Sequence, residues 1–283
     1  MEQQFPRTTV GGVSLSRMLI GTNWMLGYSH TSASADEMIR RRYDSAEAFK
    51  PVLETYLRHG VDSIMAPLGN SPDLVRALDE TEQKLGREII RIDTPYLNMD
   101  DTPQGRREAE EEVKASARRG ARFCLIHHSC AEQLVNENLG QICRLDDYTK
   151  MIRDAGLIPG LSAHMPELVV YSDKNGYDVE TYIQIFNCMG FLMQAEIEAV
   201  ASIIHNAKKP VMTIKSMAAG RCSPYVGLTF SWNAIREQDM VTVGAFSPQE
   251  AEEDIEISLA AIEHRFPDME KRASPVQNQA VFG

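Results

Sequence analysis

The sequence predicts one α/β domain over residues 1–283, folded as a (β/α)8 TIM barrel with a short N-terminal hairpin and a C-terminal tail. Three observations predict it. Short apolar runs alternate with helix-like runs along the whole chain, with no linker or shift of composition between them. Four successive helix-like runs stop at Gly60, Gly86, Gly120 and Gly156, and an apolar run follows each almost at once. Glycine adopts the left-handed conformation that closes a helix, so each junction has a mechanism. Length is the third: a barrel of this kind takes roughly 250 residues as a single unit. An open doubly wound sheet would carry a glycine-rich phosphate turn after its first strand, and Gly21-Thr-Asn-Trp-Met-Leu-Gly27 is a poor version of one.

Bulk properties exclude several classes. A hydrophobic content of 43% is ample for a core. The net charge of −11 argues against a nucleic-acid partner, which wants a basic face. No apolar run is long enough for a membrane span, and the start Met-Glu-Gln-Gln-Phe-Pro lacks the basic head and apolar core of a signal peptide. Five cysteines, Cys124, Cys130, Cys143, Cys188 and Cys222, without a CxxC pair fit reduced thiols in a cytoplasmic enzyme. The expected partner is a small-molecule substrate. Homo-oligomerisation is left open.

Taken in order, residues 1–16 hold a hairpin turned at Gly11-Gly12, and Arg17 to Thr22 is the first strand. A long polar loop, Met25 to Ser34, follows and makes Tyr28 and His30 candidates to reach a site, or surface residues. Helix 45–59, strand 61–66, helix 74–85 and strand 88–94 come next. The charged helix 104–119 precedes Gly120-Ala-Arg-Phe-Cys-Leu-Ile-His-His-Ser-Cys130, an apolar strand ending in two histidines. Helix 147–155 leads to strand 157–162, and strand 182–187 to helix 193–207. Strand 210–215, helix 224–235, strand 240–243 and an acidic helix 248–264 complete the rhythm, leaving residues 266–283 as a tail.

Barrel chemistry sits at the C-terminal ends of strands. Those ends carry Asn23 and Trp24, then Asp93, then His127 and His128, then His164, then Asn187 and Lys215. Asp93, His127 and His164 come from neighbouring strands, and a carboxylate with two imidazoles suits Zn, Mn or Fe as a divalent metal. The same set suits metal-free acid–base work, with Asp93 orienting a histidine, and Asp93 pairing structurally with Arg91 is the third option. Strand parity places Phe123, Leu125 and His127 on the inward face, and Cys124, Ile126 and His128 on the other. Lys215 closes an apolar strand, where it can form a Schiff base, hold an anion or point to solvent. In the turn after it, Arg221 can grip a phosphate or carboxylate, or Ala218 to Gly220 can simply pack closely.

With these positions in place the chain resembles the aldo-keto reductase family over most of its length. The resemblance is carried by Leu19-Ile-Gly-Thr22 after the hairpin, Gly60-Val-Asp-Ser-Ile, Gly69-Asn-Ser-Pro-Asp-Leu74 and Leu125-Ile-His127. It continues through Gly160-Leu-Ser-Ala-His-Met-Pro-Glu167, Lys215 to Arg221 and Val243-Gly-Ala-Phe-Ser-Pro-Gln-Glu-Ala-Glu-Glu-Asp254. It implies a barrel, a catalytic His127, and NADP held at its phosphate and adenine ends by the last two segments. The family's aspartate, tyrosine and lysine fall on Met65, on or near Leu68, and on Asp93 or Thr94. Tyr28 or Tyr96 would have to supply the proton.

Those departures motivate a first expectation of non-reductase chemistry: a metal-assisted lyase, isomerase or hydrolase for a small polar, carbohydrate-like or carbonyl substrate. In it Asp93, His127 and His164 hold the metal, and His127, His128, Tyr96 and Lys215 do the chemistry. Asn23, Trp24, Tyr28, His30, Asn187 and Arg221 contact substrate. The alternatives are a divergent NAD(P)-dependent oxidoreductase of the aldo-keto reductase type, and an inactive barrel used for binding.

Overall fold

The structure, a computed structural model, describes residues 4–268. The chain opens as an antiparallel hairpin, β1 (Arg7–Val10) and β2 (Val13–Ser16), turned at Gly11-Gly12 as the sequence predicts. Val10 and Leu15 point into the barrel and plug its N-terminal end.

Barrel strands and helices then alternate. Strand β3 (Met18–Gly21) precedes α1 (Asn23–Leu26), α2 (Ala33–Arg42) and α3 (Ala46–Arg58). Strand β4 (Ser63–Ala66) is followed by α4 (Pro72–Leu85), and β5 (Ile90–Asp93) by α5 (Pro103–Arg118). Strand β6 (Ala121–Ile126) runs into the short α6 (His128–Ala131), a small hairpin of β7 (Val135–Asn136) and β8 (Gln141–Ile142), and α7 (Leu145–Asp154). Strand β9 (Ile158–Ala163) and α8 (Glu167–Asn175) lead to β10 (Tyr182–Ile185) and α9 (Ile197–Asn206). Strand β11 (Val211–Ile214), α10 (Pro224–Ala234), β12 (Met240–Val243) and α11 (Pro248–Ile262) finish the circuit. The eight strands β3, β4, β5, β6, β9, β10, β11 and β12 are parallel and close on themselves through the β12–β3 pair.

Local chemistry explains the boundaries. Helices α4, α5, α10 and α11 each begin at a Ser-Pro or Thr-Pro step. There the hydroxyl of Ser71, Thr102, Ser223 or Ser247 accepts the backbone N–H three residues on, and the proline occupies the first turn. Gly60, Gly86, Gly120 and Gly156 all have positive φ, between 62° and 78°, as the helix-closing reading requires. Besides the one-turn α1 and α6, two longer helices depart from the sequence expectation. Helix α2 begins at Ala33, so the expected loop shrinks to residues 27–32, and α8 was not expected at all. Only Ile39 of α2 is buried, so the helix has no apolar stripe to betray its period.

The core divides as strand parity dictates. Leu19, Met65, Ile90, Ile92, Phe123, Leu125, Ile158, Ile183, Met212 and Met240 fill the barrel interior. Their neighbours in sequence, such as Ile20, Ile64, Cys124 and Ile126, pack against the helices. No helix among the described residues is long and apolar enough to cross a membrane. The expected tail lies, beyond residue 268, outside the described residues.

Candidate active site

A cavity of about 820 Å³ opens at the C-terminal mouth of the barrel. Most of the sequence-predicted residues line it: Asn23, Trp24, Tyr28 and His30 from the loop and helices after β3, Tyr96 after β5, and His127 and His128 after β6. His164, Lys215 and Arg221 line it from the following strands.

The parity argument holds within β6, where Phe123 and Leu125 face inward, but it does not separate the two histidines. The strand ends at Ile126 and the backbone turns at His127, which caps α6, so both rings reach the cavity. The Nδ1 atom of His127 accepts the Ser129 N–H at 3.3 Å and lies 2.8 Å from the Ser129 hydroxyl. A ring nitrogen that accepts an N–H carries no proton, so the tautomer bears its hydrogen on Nε2. Burial, with His128 beside it, lowers the His127 pKa to about 4 and keeps the ring neutral. The Tyr96 ring packs on His127 at 4.1 Å between centroids, and burial raises the phenol's pKa, which keeps it a proton donor.

Across the mouth, His30 and Lys215 form a second polar group. The Nδ1–H of His30 donates to the Tyr28 carbonyl at 2.8 Å, which leaves Nε2 to accept from Lys215 Nζ at 3.2 Å. Burial lowers the Lys215 pKa to about 8. The next turn carries Ala218 at φ 49° and Ala219 at φ 54°, left-handed positions that alanine rarely takes. Arg221 bonds back to the Ala218 carbonyl at 3.1 Å and covers the Phe191 ring at 3.9 Å. Lys215 and Arg221 thus put two cations at this side of the cavity.

Two expected site residues are elsewhere. Asp93 is fully buried on the helix-facing side of β5, where it accepts the Leu68 N–H at 2.9 Å and the Ser116 hydroxyl, with Arg119 at 3.5 Å. The reason is parity: Ile90 and Ile92 point into the barrel, so Arg91 and Asp93 cannot. Burial raises the Asp93 pKa against the lowering by Ser116, Leu68 and Arg119. The expected Asp93, His127, His164 metal set is therefore corrected. Asn187 is likewise buried, its Oδ1 accepting the N–H groups of Met189 and Phe191 and its amide donating to the Phe191 carbonyl. It shapes a loop and touches no substrate space.

The structure adds Glu132, which sequence reading missed. Its Oε1 accepts the backbone N–H groups of His164 at 2.8 Å and Met165 at 3.1 Å, tying α6 to the end of β9. Its spacing of four residues from His128 was the available signal. Rings of His128 and His164 stack with centroids 3.6 Å apart, and burial beside His128 lowers the His164 pKa to about 3. Met65 lines the cavity where the resemblance places an aspartate, whereas Leu68 is buried away from it.

Comparisons with known proteins agree with the fold. No family model and no curated protein matches the sequence. Among solved structures, a protein described as an aldo-keto reductase from Pseudomonas aeruginosa superposes with a TM-score of 0.65 at 13% identity, covering 93% of this chain and 98% of its own. An aldo-keto reductase from Brucella melitensis gives 0.58 at 12% identity, covering 93% and 99%. Aldose reductase from Giardia lamblia gives 0.54 at 12% identity, covering 94% and 90%. The expectation of lyase, isomerase or hydrolase chemistry is thereby corrected. The three structures above are described as reductases, and the Asp93 on which that expectation rested faces the helices. This chain carries the barrel fold seen in these aldo-keto reductase structures.

Proposed function

We propose that the protein is an NAD(P)-dependent oxidoreductase that moves a hydride between the nicotinamide cofactor and a small polar carbonyl or hydroxyl compound. The observation that carries this reading is the continuity of the cavity. One wall presents His127 and Tyr96, and the same space runs on to Ser216, Arg221, Gly244 and Glu250, in the segments that resemble a cofactor cradle. Lys215 and Arg221, both lining the cavity, supply positive charge for a phosphate. The Nε2–H of neutral His127 donates to a carbonyl oxygen and orients it for hydride attack. Proton delivery falls to Tyr96 or Tyr28, the two phenols at the mouth. The cofactor supplies the hydride, and the protein supplies position and electrostatics. Five unpaired thiols fit a reducing, cytoplasmic location.

Met65 and Leu68 favour a second reading, a barrel that binds ligand without turnover, because both are apolar where the resemblance places an acid and a phenol. Titration of NADPH and NADH, followed by Trp24 fluorescence, tests the first reading. Saturable quenching that vanishes in Trp24→Phe is expected, since Trp24 lines the cavity. Absence of saturable binding by either cofactor overturns it. Saturable binding without turnover of any carbonyl compound selects the second.

A further inference from the structure

Three side chains at the cavity rim converge without being satisfied by one another. His128 starts α6, Glu132 closes it one turn later, and His164 leaves the end of β9, the barrel neighbour of β6. One ligand atom from each lies within 4.8 Å of the other two. Glu132 divides its carboxylate: Oε1 is held by two backbone N–H groups, and Oε2 stands 3.7 Å from His128 Nδ1. That gap is too long for a hydrogen bond. His128 Nδ1 is accordingly a buried polar atom with no hydrogen-bond partner. A buried imidazole nitrogen costs free energy when left unpaired, and nothing else among the described residues reaches it.

We propose that His128, Glu132 and His164 form a binding site for a divalent transition metal ion of the zinc class, with its remaining positions open to the cavity. Two imidazoles and one carboxylate are borderline donors that select zinc, cobalt or iron(II) over magnesium or calcium. Three protein ligands with an open position describe a site that can take water or a substrate oxygen. The backbone N–H groups on Oε1 fix the carboxylate as outer partners fix metal ligands. Tetrahedral ligands about 2.0–2.1 Å from an ion sit roughly 3.3 Å apart, so side-chain rotation closes the present spacing. The His128 and Glu132 side chains retain 27% and 21% exposure, and the rotation that binds an ion parts the His128 ring from the His164 ring it stacks on at 3.6 Å. Metal binding stands independently of the reductase reading.

The test is a titration of chelator-stripped protein with Co²⁺, followed by visible absorption, then by competition with Zn²⁺, with no cofactor present. One saturable equivalent is expected, with His128→Ala and His164→Ala each weakening binding by at least about tenfold. His127→Ala, one residue away, retains it. Circular dichroism checks that each variant is folded. Should Glu132→Gln not fold because its backbone contacts fail, the two histidine variants still decide. No saturable absorption, unchanged affinity in both histidine variants, or equal loss in His127→Ala overturns the site.

Discussion

Lys215 Nζ lies 3.2 Å from His30 Nε2, and the His30 ring is locked as acceptor because its other nitrogen donates to the Tyr28 carbonyl. A lysine and a histidine that share one hydrogen bond hold one positive charge, carried by the ammonium. It stands in the cavity wall with its pKa lowered to about 8 by burial.

That charge predicts a pH dependence. An anionic group bound beside Lys215 loses its partner as pH rises through about 8, so cofactor affinity should fall over that range. Lys215→Met should weaken cofactor binding by about tenfold or more below that pH and flatten the profile above it. Fluorescence titration across pH checks both. Stability runs the other way. Between about 8 and the ordinary lysine value of 10.5 the unfolded chain binds a proton that the folded chain does not, so stability should rise with pH in that window.

The two adjacent histidines should separate by assay. His127→Ala removes the Nε2–H that faces substrate and should lower turnover by roughly 10²-fold, as loss of one oxyanion donor does, with the fold retained. His128→Ala should keep more of the activity than His127→Ala, because its ring meets the rim and His164. Parallel kinetics with circular dichroism as control compare them. A dead His128→Ala beside an active His127→Ala would reverse the assignment.

Asp93 should behave as a structural residue. Asp93→Ala leaves the Leu68 N–H and the Ser116 hydroxyl without their acceptor and should cost about 1–3 kcal/mol in chemical denaturation. Cofactor affinity of the folded fraction should not change. A selective loss of binding without loss of stability would return Asp93 to the site.

Gly120 closes the run into the central strand at φ +78°. A Cβ there would stand 3.1 Å from Arg91 Nη1, which donates to the Arg119 carbonyl at 2.8 Å. Gly120→Ala should therefore cost at least about 1–2 kcal/mol, the penalty for a left-handed L-residue, measured as a lowered denaturation midpoint.

The amino-acid sequence by itself determined the barrel. Glycine-closed helices and apolar strands are local signals, and local backbone chemistry is what they report. It also located the chemistry at strand ends, so His127, His164, Lys215 and Trp24 were legible as cavity residues without any contact being known. Helix α2 was not legible, because one buried residue, Ile39, leaves no period to read. Only the tertiary structure decided which way the polar ends turn. Asp93 follows strand parity into the helix layer, whereas His128 escapes parity because β6 ends at Ile126. Glu132 reached the backbone N–H groups of His164 and Met165 across 32 and 33 residues of chain. Such pairings are set by where strands end and how loops fold back, and those depend on packing between segments distant in sequence.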